Sequence, residues 1–180
     1  MWAKCCMANL RHRAEQTKAP ELPGMPSQKS AGVVVVGADH NGFHLKEILE
    51  KHLQGLGYEV HDKGSKRLKP DDDFPLLASK VVHDMIEHGD ESRGILICGS
   101  GQGMAIAANR YKGMRAVVLQ DKEQARLARN DDDANILALP AFELEDDPVK
   151  VYDIVETWLN TPFERAPRRL RRLRQLDELS

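Results

Sequence analysis

An apolar run, Gly94-Ile-Leu-Ile-Cys98, breaks without a spacer into Gly99-Ser-Gly101-Gln-Gly103 and then into the small-residue stretch Met104-Ala-Ile-Ala-Ala-Asn-Arg110. A buried strand, a glycine-spaced turn and a helix opening from that turn narrow the fold to parallel sheets whose strands alternate with helices. The turn sets backbone N–H donors beside the Cys98 thiol, and Gly99, Gly101 and Gly103 let the backbone approach a ligand closely. The positive end of the helix dipole favours thiolate, the basic and nucleophilic form. Base and anion hole therefore arise from one segment. The same pattern also describes a small buried thiol closing a core strand, and this segment alone does not separate the two.

Spacing removes several similar-looking sites. A dinucleotide fingerprint needs a third glycine where Met104 stands, and the chain contains no Gly-Lys-Ser or Gly-Lys-Thr to complete a nucleotide-binding P-loop. A thiol phosphatase needs a phosphate-gripping arginine shortly after its cysteine, and that place is also Met104.

The first strand, Val33-Val-Val-Val-Gly37-Ala, ends in Asp39-His40-Asn41-Gly42. In an open parallel sheet ligands lie beyond the carboxyl ends of the strands, so Asp39, His40 and Cys98 are expected on one rim. A lone Asp-His after a strand also serves as a helix cap. Further motifs follow in order: Asp62-Lys-Gly-Ser65, Asp73-Phe-Pro75, Ala107-Ala-Asn109, Gly113-Met-Arg-Ala116 and Asp133-Ala-Asn135. From about Gly32 onward this set resembles the type B ribose-5-phosphate isomerases, a family that also holds galactose-6-phosphate isomerase subunits.

The resemblance implies a Rossmann-like three-layer α/β sandwich with a five-stranded parallel sheet and an exchanged C-terminal helix. It implies cofactor-independent aldose–ketose isomerisation of a small sugar phosphate through an enediolate. Cys98 would be the base, the N–H groups of Gly99 to Gly103 (Gln102 included) would hold the enediolate oxygens, and Ser100 would help move the hydroxyl proton. Asp39 and His40 would bind sugar hydroxyls and the phosphate end. Where a relative lacks the cysteine, a glutamate further along the turn replaces it; here that place is Met104.

Departures are equally specific. The ring-opening histidine and its neighbour are replaced by Asp131 and Asp132, so Asp131 is the candidate catalytic group there and Asp132 a binding group. A phosphate-contacting arginine expected after the fifth strand falls at Phe142. In the family the tail crosses to the partner subunit and its arginines hold the substrate phosphate. Here Arg171 is in register, with Arg168 or Arg165 available by a shift of the loop, which implies a homodimer with composite sites or a tetramer of such pairs. These changes favour a four-carbon sugar phosphate, which needs no ring opening, with ribose 5-phosphate as the alternative.

Composition agrees with one buried domain: 180 residues, 41% hydrophobic, 30% charged. A net charge of −2 provides no field to recruit nucleic acid or an anionic membrane. Cys5, Cys6 and Cys98 form no disulfide framework, which places the chain in a reducing, cytoplasmic setting. His61, His83 and His88 lack paired ligand spacing, so no metal site is expected. His44 and His52 are read as solvated helix-surface residues.

Residues 1–31 are read as a non-folded extension, with a basic start and a linker of Pro20, Pro23, Gly24 and Pro26. The other readings are an upstream start codon, with Met25 nearer the true beginning, and an organelle-targeting presequence, because acids are absent before Glu15. Residues 32–160 form the α/β domain. Strands are expected at Gly32–Ala38, Tyr58–Asp62, Gly94–Cys98, Arg115–Leu119 and Asn135–Ala138, with helices between them, one over His44–Leu53 and another over Pro148–Leu159. Residues 161–180 form an arginine-rich helix of the same domain, with six arginines between 165 and 174 and a stripe of Leu170, Leu173, Leu176 and Leu179. A catalytically idle binding module and an arginine-rich nucleic-acid binder are the competing classes; the intact Cys98 turn argues against the first and the acidic remainder of the chain against the second.

Overall fold

The computed structural model describes residues 32–179; the extension expected over residues 1–31 lies outside them. Five strands form one sheet: β1 (Val33–Ala38), β2 (Glu59–Asp62), β3 (Arg93–Cys98), β4 (Ala116–Val118) and β5 (Ile136–Pro140). Their order is β2-β1-β3-β5-β4, and every neighbouring pair is parallel. The central strands read as unbroken apolar runs because helices cover both faces. Val34, Val36, Ile95, Ile97, Leu137 and Leu139 face one layer, built by α1 (Phe43–Gly55), α4 (Lys122–Asp132) and α6 (Pro148–Asn160) around Trp158. Val35, Leu96, Cys98, Ile136 and Ala138 face the other, built by α2 (Phe74–His88) and α3 (Gln102–Ala108). The expected three-layer sandwich is present. Two short elements complete it, α5 (Ala141–Leu144) and α7 (Pro167–Glu178).

Local chemistry explains the helix starts. The Asp121 carboxylate accepts the Gln124 N–H at 2.9 Å to open α4, and Asp147 accepts the Lys150 N–H at 3.0 Å ahead of Pro148 to open α6. The strand expected over Arg115–Leu119 is regular over Ala116–Val118, with Arg115 and Leu119 still exchanging single backbone hydrogen bonds with β5 at 3.3 and 3.1 Å. His52 is less solvated than expected: it stacks on Tyr152 with centroids 3.7 Å apart and bonds Glu156 at 2.8 Å.

Strand order decides where a ligand can sit. From β1 the chain moves to β2 on one side, and from β3 it moves to β4 and β5 on the other, so the direction of winding reverses between β1 and β3. Their following helices, α1 and α3, cover opposite faces, which opens a crevice at the carboxyl ends of these two strands.

At the opposite end of the sheet, Asp133 turns the chain from α4 into β5 with φ 48°. Its carboxylate bridges Arg129 at 2.7 Å and Arg115 at 3.0 Å, and Arg129 is buried against Trp158. Replacing Asp133 by alanine strands the Arg129 charge and strains a left-handed residue. Because Asp133 is partly exposed, the expected loss of unfolding free energy is about 2 kcal/mol, read by urea denaturation. Asp133→Asn, which tolerates that backbone, should lose less.

Candidate active site

Asp39, His40 and Cys98 meet at the crevice between β1 and β3. Ala38 pairs with Ile97, and the Asp39 N–H donates to the Ile97 carbonyl at 3.1 Å, so the residues leaving the two strands are held side by side. Cys98 is buried, and the backbone N–H groups of Ser100, Gly101 and Met104 face its sulfur. Gly101 makes this turn with φ 75°, and a Cβ there would lie 2.9 Å from Val118. A Cβ on Gly99 would lie 2.6 Å from the ring of Phe142. Ser100 and Gln102 are exposed on the turn, Gly103 is half-buried under Phe74, and the Gln102 N–H reaches the Ser100 hydroxyl at 3.4 Å.

The electrostatics differ from the expectation of a favoured thiolate. Burial pushes the Cys98 thiol above its ordinary value, the nearby N–H groups oppose that, and the Asp39 carboxylate adds to it. The short helix and its turn do not outweigh desolvation. Burial likewise raises Asp39, only 6% exposed, although its Oδ1 accepts the N–H groups of Asn41 at 2.9 Å and Gly42 at 3.2 Å. Asp39 thus performs the loop-capping role and still lines the crevice.

Asp72 is the functional residue that the sequence reading missed. Its Oδ1 accepts both the His40 backbone N–H at 3.1 Å and ring Nδ1 at 2.9 Å, while His40 Nε2 lies 3.0 Å from the Asn41 amide nitrogen. The Asp72 bond holds the imidazole above its ordinary value. The Asp72 side chain is 8% exposed and its Oδ2 is buried without a partner among the described residues. The signal available in the sequence was the acidic run Asp71-Asp72-Asp73, but nothing in it indicates which acid turns inward.

The other predicted residues lie elsewhere. Because β3 and β5 are parallel, with Gly94 opposite Ile136 and Cys98 opposite Pro140, the end of α4 that leads into β5 is at the far end of the sheet from Cys98. Asp131 and Asp132 therefore do not join Cys98 within one chain. Asp131 is paired with Arg169 at 2.6 Å, an arginine of the same chain's tail rather than a partner's. Arg169 also holds Glu164 and the Asn130 carbonyl, and it is the buried arginine of α7, whereas Arg165, Arg168 and Arg171 are exposed. The leucine stripe is covered only at its start: Leu170 and Leu173 are half-buried, whereas Leu176 is 50% and Leu179 is 83% exposed. Two cavities of about 470 and 540 Å³ lie at this same end, the first touching Asp132, Arg115 and Leu176, the second Arg93, Arg129 and Arg165.

His61 and His88, which have no paired spacing in the sequence, converge with Asp84 where β2 meets α2. Among the described residues no helix is long and apolar enough to cross a membrane.

A family model described as Ribose/Galactose Isomerase matches residues 34–176. The chain belongs to this family. It is 39% identical to the Ribose-5-phosphate isomerase B of Escherichia coli over 131 residues, covering 73% of this chain and 85% of the relative. It is 37% identical to the 4-deoxy-4-sulfo-D-erythrose isomerase of a Clostridium species over 131 residues, covering 72% and 80%. The crystal structure of Ribose-5-phosphate isomerase B from Mycoplasma genitalium with bound ribulose-5-phosphate superposes with a TM-score of 0.78 at 32% identity, covering 82% of this chain and 95% of that one.

The Asp39–Cys98 coupling is testable without substrate. Alkylation of Cys98, followed by mass spectrometry of its own peptide, should be slow at neutral pH and rise with alkalinity. Asp39→Asn removes a negative neighbour, so the rising limb should move to lower pH. An unmoved limb would mean that Asp39 does not act on the thiol.

Proposed function

We propose that the chain interconverts a small aldose phosphate and its ketose, with Cys98 taking the proton from the carbon beside the carbonyl and returning it to the neighbouring carbon. The observation that carries this reading is a buried thiol faced by three backbone N–H groups at the switch point of the sheet, beside Asp39 and His40. A thiolate released in that setting is a stronger base than an exposed one, as the weak acidity of a carbon proton demands. The N–H groups of the Gly99–Gly103 turn hold the enediolate oxygens, and losing one such donor typically costs roughly 3 kcal/mol of barrier. Ser100 passes the hydroxyl proton between the two oxygens. Asp39 accepts sugar hydroxyls, and His40, whose imidazole Asp72 holds above its ordinary value, meets the anionic end. The chemistry needs no cofactor.

The substrate we favour has four carbons. Phe142, 75% exposed, lays an apolar ring against Gly99 where a phosphate-binding arginine would serve a longer sugar. Asp131 is occupied by Arg169 and offers no ring-opening imidazole. The sulfo-erythrose isomerase among the relatives is named for a four-carbon sugar, which supports this length. Ribose 5-phosphate is the competing substrate, supported by the relatives named for it.

We further propose a homodimer in which the end of the sheet carrying Asp132, Arg168 and Arg171 completes the crevice of a second copy. The separation of these residues from Cys98 within one chain, together with the uncovered leucines of α7, supports this arrangement.

Incubation with four- to six-carbon aldose and ketose phosphates in deuterated water tests the chemistry. Deuterium should enter the carbon beside the former carbonyl, with the highest kcat/KM for a tetrose phosphate, and Cys98→Ser should reduce turnover by a factor of about 10² or more because a hydroxyl is a far weaker acid. Near-native turnover in that variant would exclude the thiol as base; a preference for ribose 5-phosphate would exclude the shorter substrate. Subunit exchange tests the composite site: Cys98→Ser mixed with Arg168→Ala/Arg171→Ala should regain activity that neither has alone. No regain on mixing would place each site within a single chain.

A further inference from the structure

We propose that His61, Asp84 and His88 form a binding site for a divalent transition cation of the zinc class, pinning the edge strand β2 to α2. Nothing in this site overlaps the crevice: Asp84 lies ten residues beyond Phe74 on α2, about 15 Å along the helix axis at 1.5 Å per residue. The inference does not rest on the isomerase reading.

Asp84 and His88 stand one turn apart on the same face of α2, and His61 reaches them from β2. One ligand atom from each residue lies within 4.8 Å of the other two. Asp84 Oδ2 is 2.8 Å from His61 Nδ1 and 3.6 Å from His88 Nδ1. A tetrahedral zinc with bonds of about 2.0–2.2 Å holds its ligand atoms about 3.3–3.5 Å apart, a spacing that these two separations bracket. The cation would replace the protons that now join His61 Nδ1 to the Asp84 carboxylate and His88 Nδ1 to the Asp84 carbonyl. Water would fill the fourth position.

The surroundings fit the outer shell of such a site. Glu59, two residues before His61 on the same face of β2, accepts from His61 Nε2 at 3.1 Å, the carboxylate contact that orients a metal-binding imidazole. Lys63 occupies the other Asp84 oxygen, Oδ1, at 2.5 Å and leaves Oδ2 to the cation. With neutral imidazoles, Glu59, Asp84 and Lys63 sum to one negative charge, which attracts a dication. The Asp84 residue is only 6% exposed, so its carboxylate is held in place before any ion arrives.

Cobalt is the direct probe, because its visible spectrum reports tetrahedral coordination and because thiolate ligands announce themselves by charge-transfer absorption. Titration of the full-length chain with Co²⁺, followed by displacement with Zn²⁺ in a calorimeter, should reveal one equivalent bound by nitrogen and oxygen ligands. Zinc should also raise the midpoint of thermal unfolding. His61→Asn/His88→Asn should lose that equivalent and the thermal shift, with isomerase turnover unchanged. Glu59→Gln, a substitution on an exposed side chain, should weaken affinity about 10-fold or more. Binding that persists in the double variant, binding through thiolates alone, or no binding at millimolar cobalt would each overturn the proposal.

Discussion

The crevice exists because β1 and β3 lie side by side while the helices that follow them leave to opposite faces of the sheet. Each strand is buried on both sides, so neither can shift without exposing a row of valines, isoleucines and leucines. That constraint delivers Asp39 and Cys98 to adjacent positions with no flexible segment between strand and functional side chain. The backbone hydrogen bond from Asp39 to Ile97 ties the two strand ends together. A rigid origin of this kind suits the role proposed for Cys98, which requires the thiol to meet a single carbon–hydrogen bond.

Burial also controls the chemistry of the rim. A helix N-terminus and three N–H groups favour a thiolate, yet desolvation and the neighbouring Asp39 carboxylate outweigh them. The same burial raises Asp39, so both acids of the rim are shifted toward their neutral forms. His40 goes the other way, because Asp72 supplies a negative partner from a mostly enclosed position. Adjacent groups are thus driven toward opposite charge states by their surroundings, the arrangement from which acid–base function is usually built.

The two ends of the sheet are unequal. The carboxyl end carries the thiol, while the amino end carries the arginines and the acidic run Asp131-Asp132-Asp133. Within that run each acid differs. Asp133 closes the turn between Arg115 and Arg129, Asp131 binds Arg169, and Asp132 lines a cavity beside α7. A linear reading treats them as one motif. The fold separates them by where each side chain leaves the end of a helix.

Strands, helices and the thiol-bearing turn were legible in the residues themselves, because apolar runs, helical spacing and glycine placement are local properties and local sterics act on them directly. Cys98, the N–H groups around it and the rim shared with Asp39 and His40 follow from strand ends in a parallel sheet. Three things were decided by tertiary structure alone. The sign of the Cys98 shift depends on how deeply the thiol is buried, which no nearest-neighbour pattern contains. Asp72 meets His40 across 32 residues of chain, and His61 meets Asp84 across 23, so neither contact leaves a spacing to read. Arg169 rather than Arg168 or Arg171 is buried, because the direction in which α7 presents its faces is set by α4 beneath it. Local sequence determines what each segment becomes; the closing of distant segments on one another determines which polar groups lose water, and with it their charge.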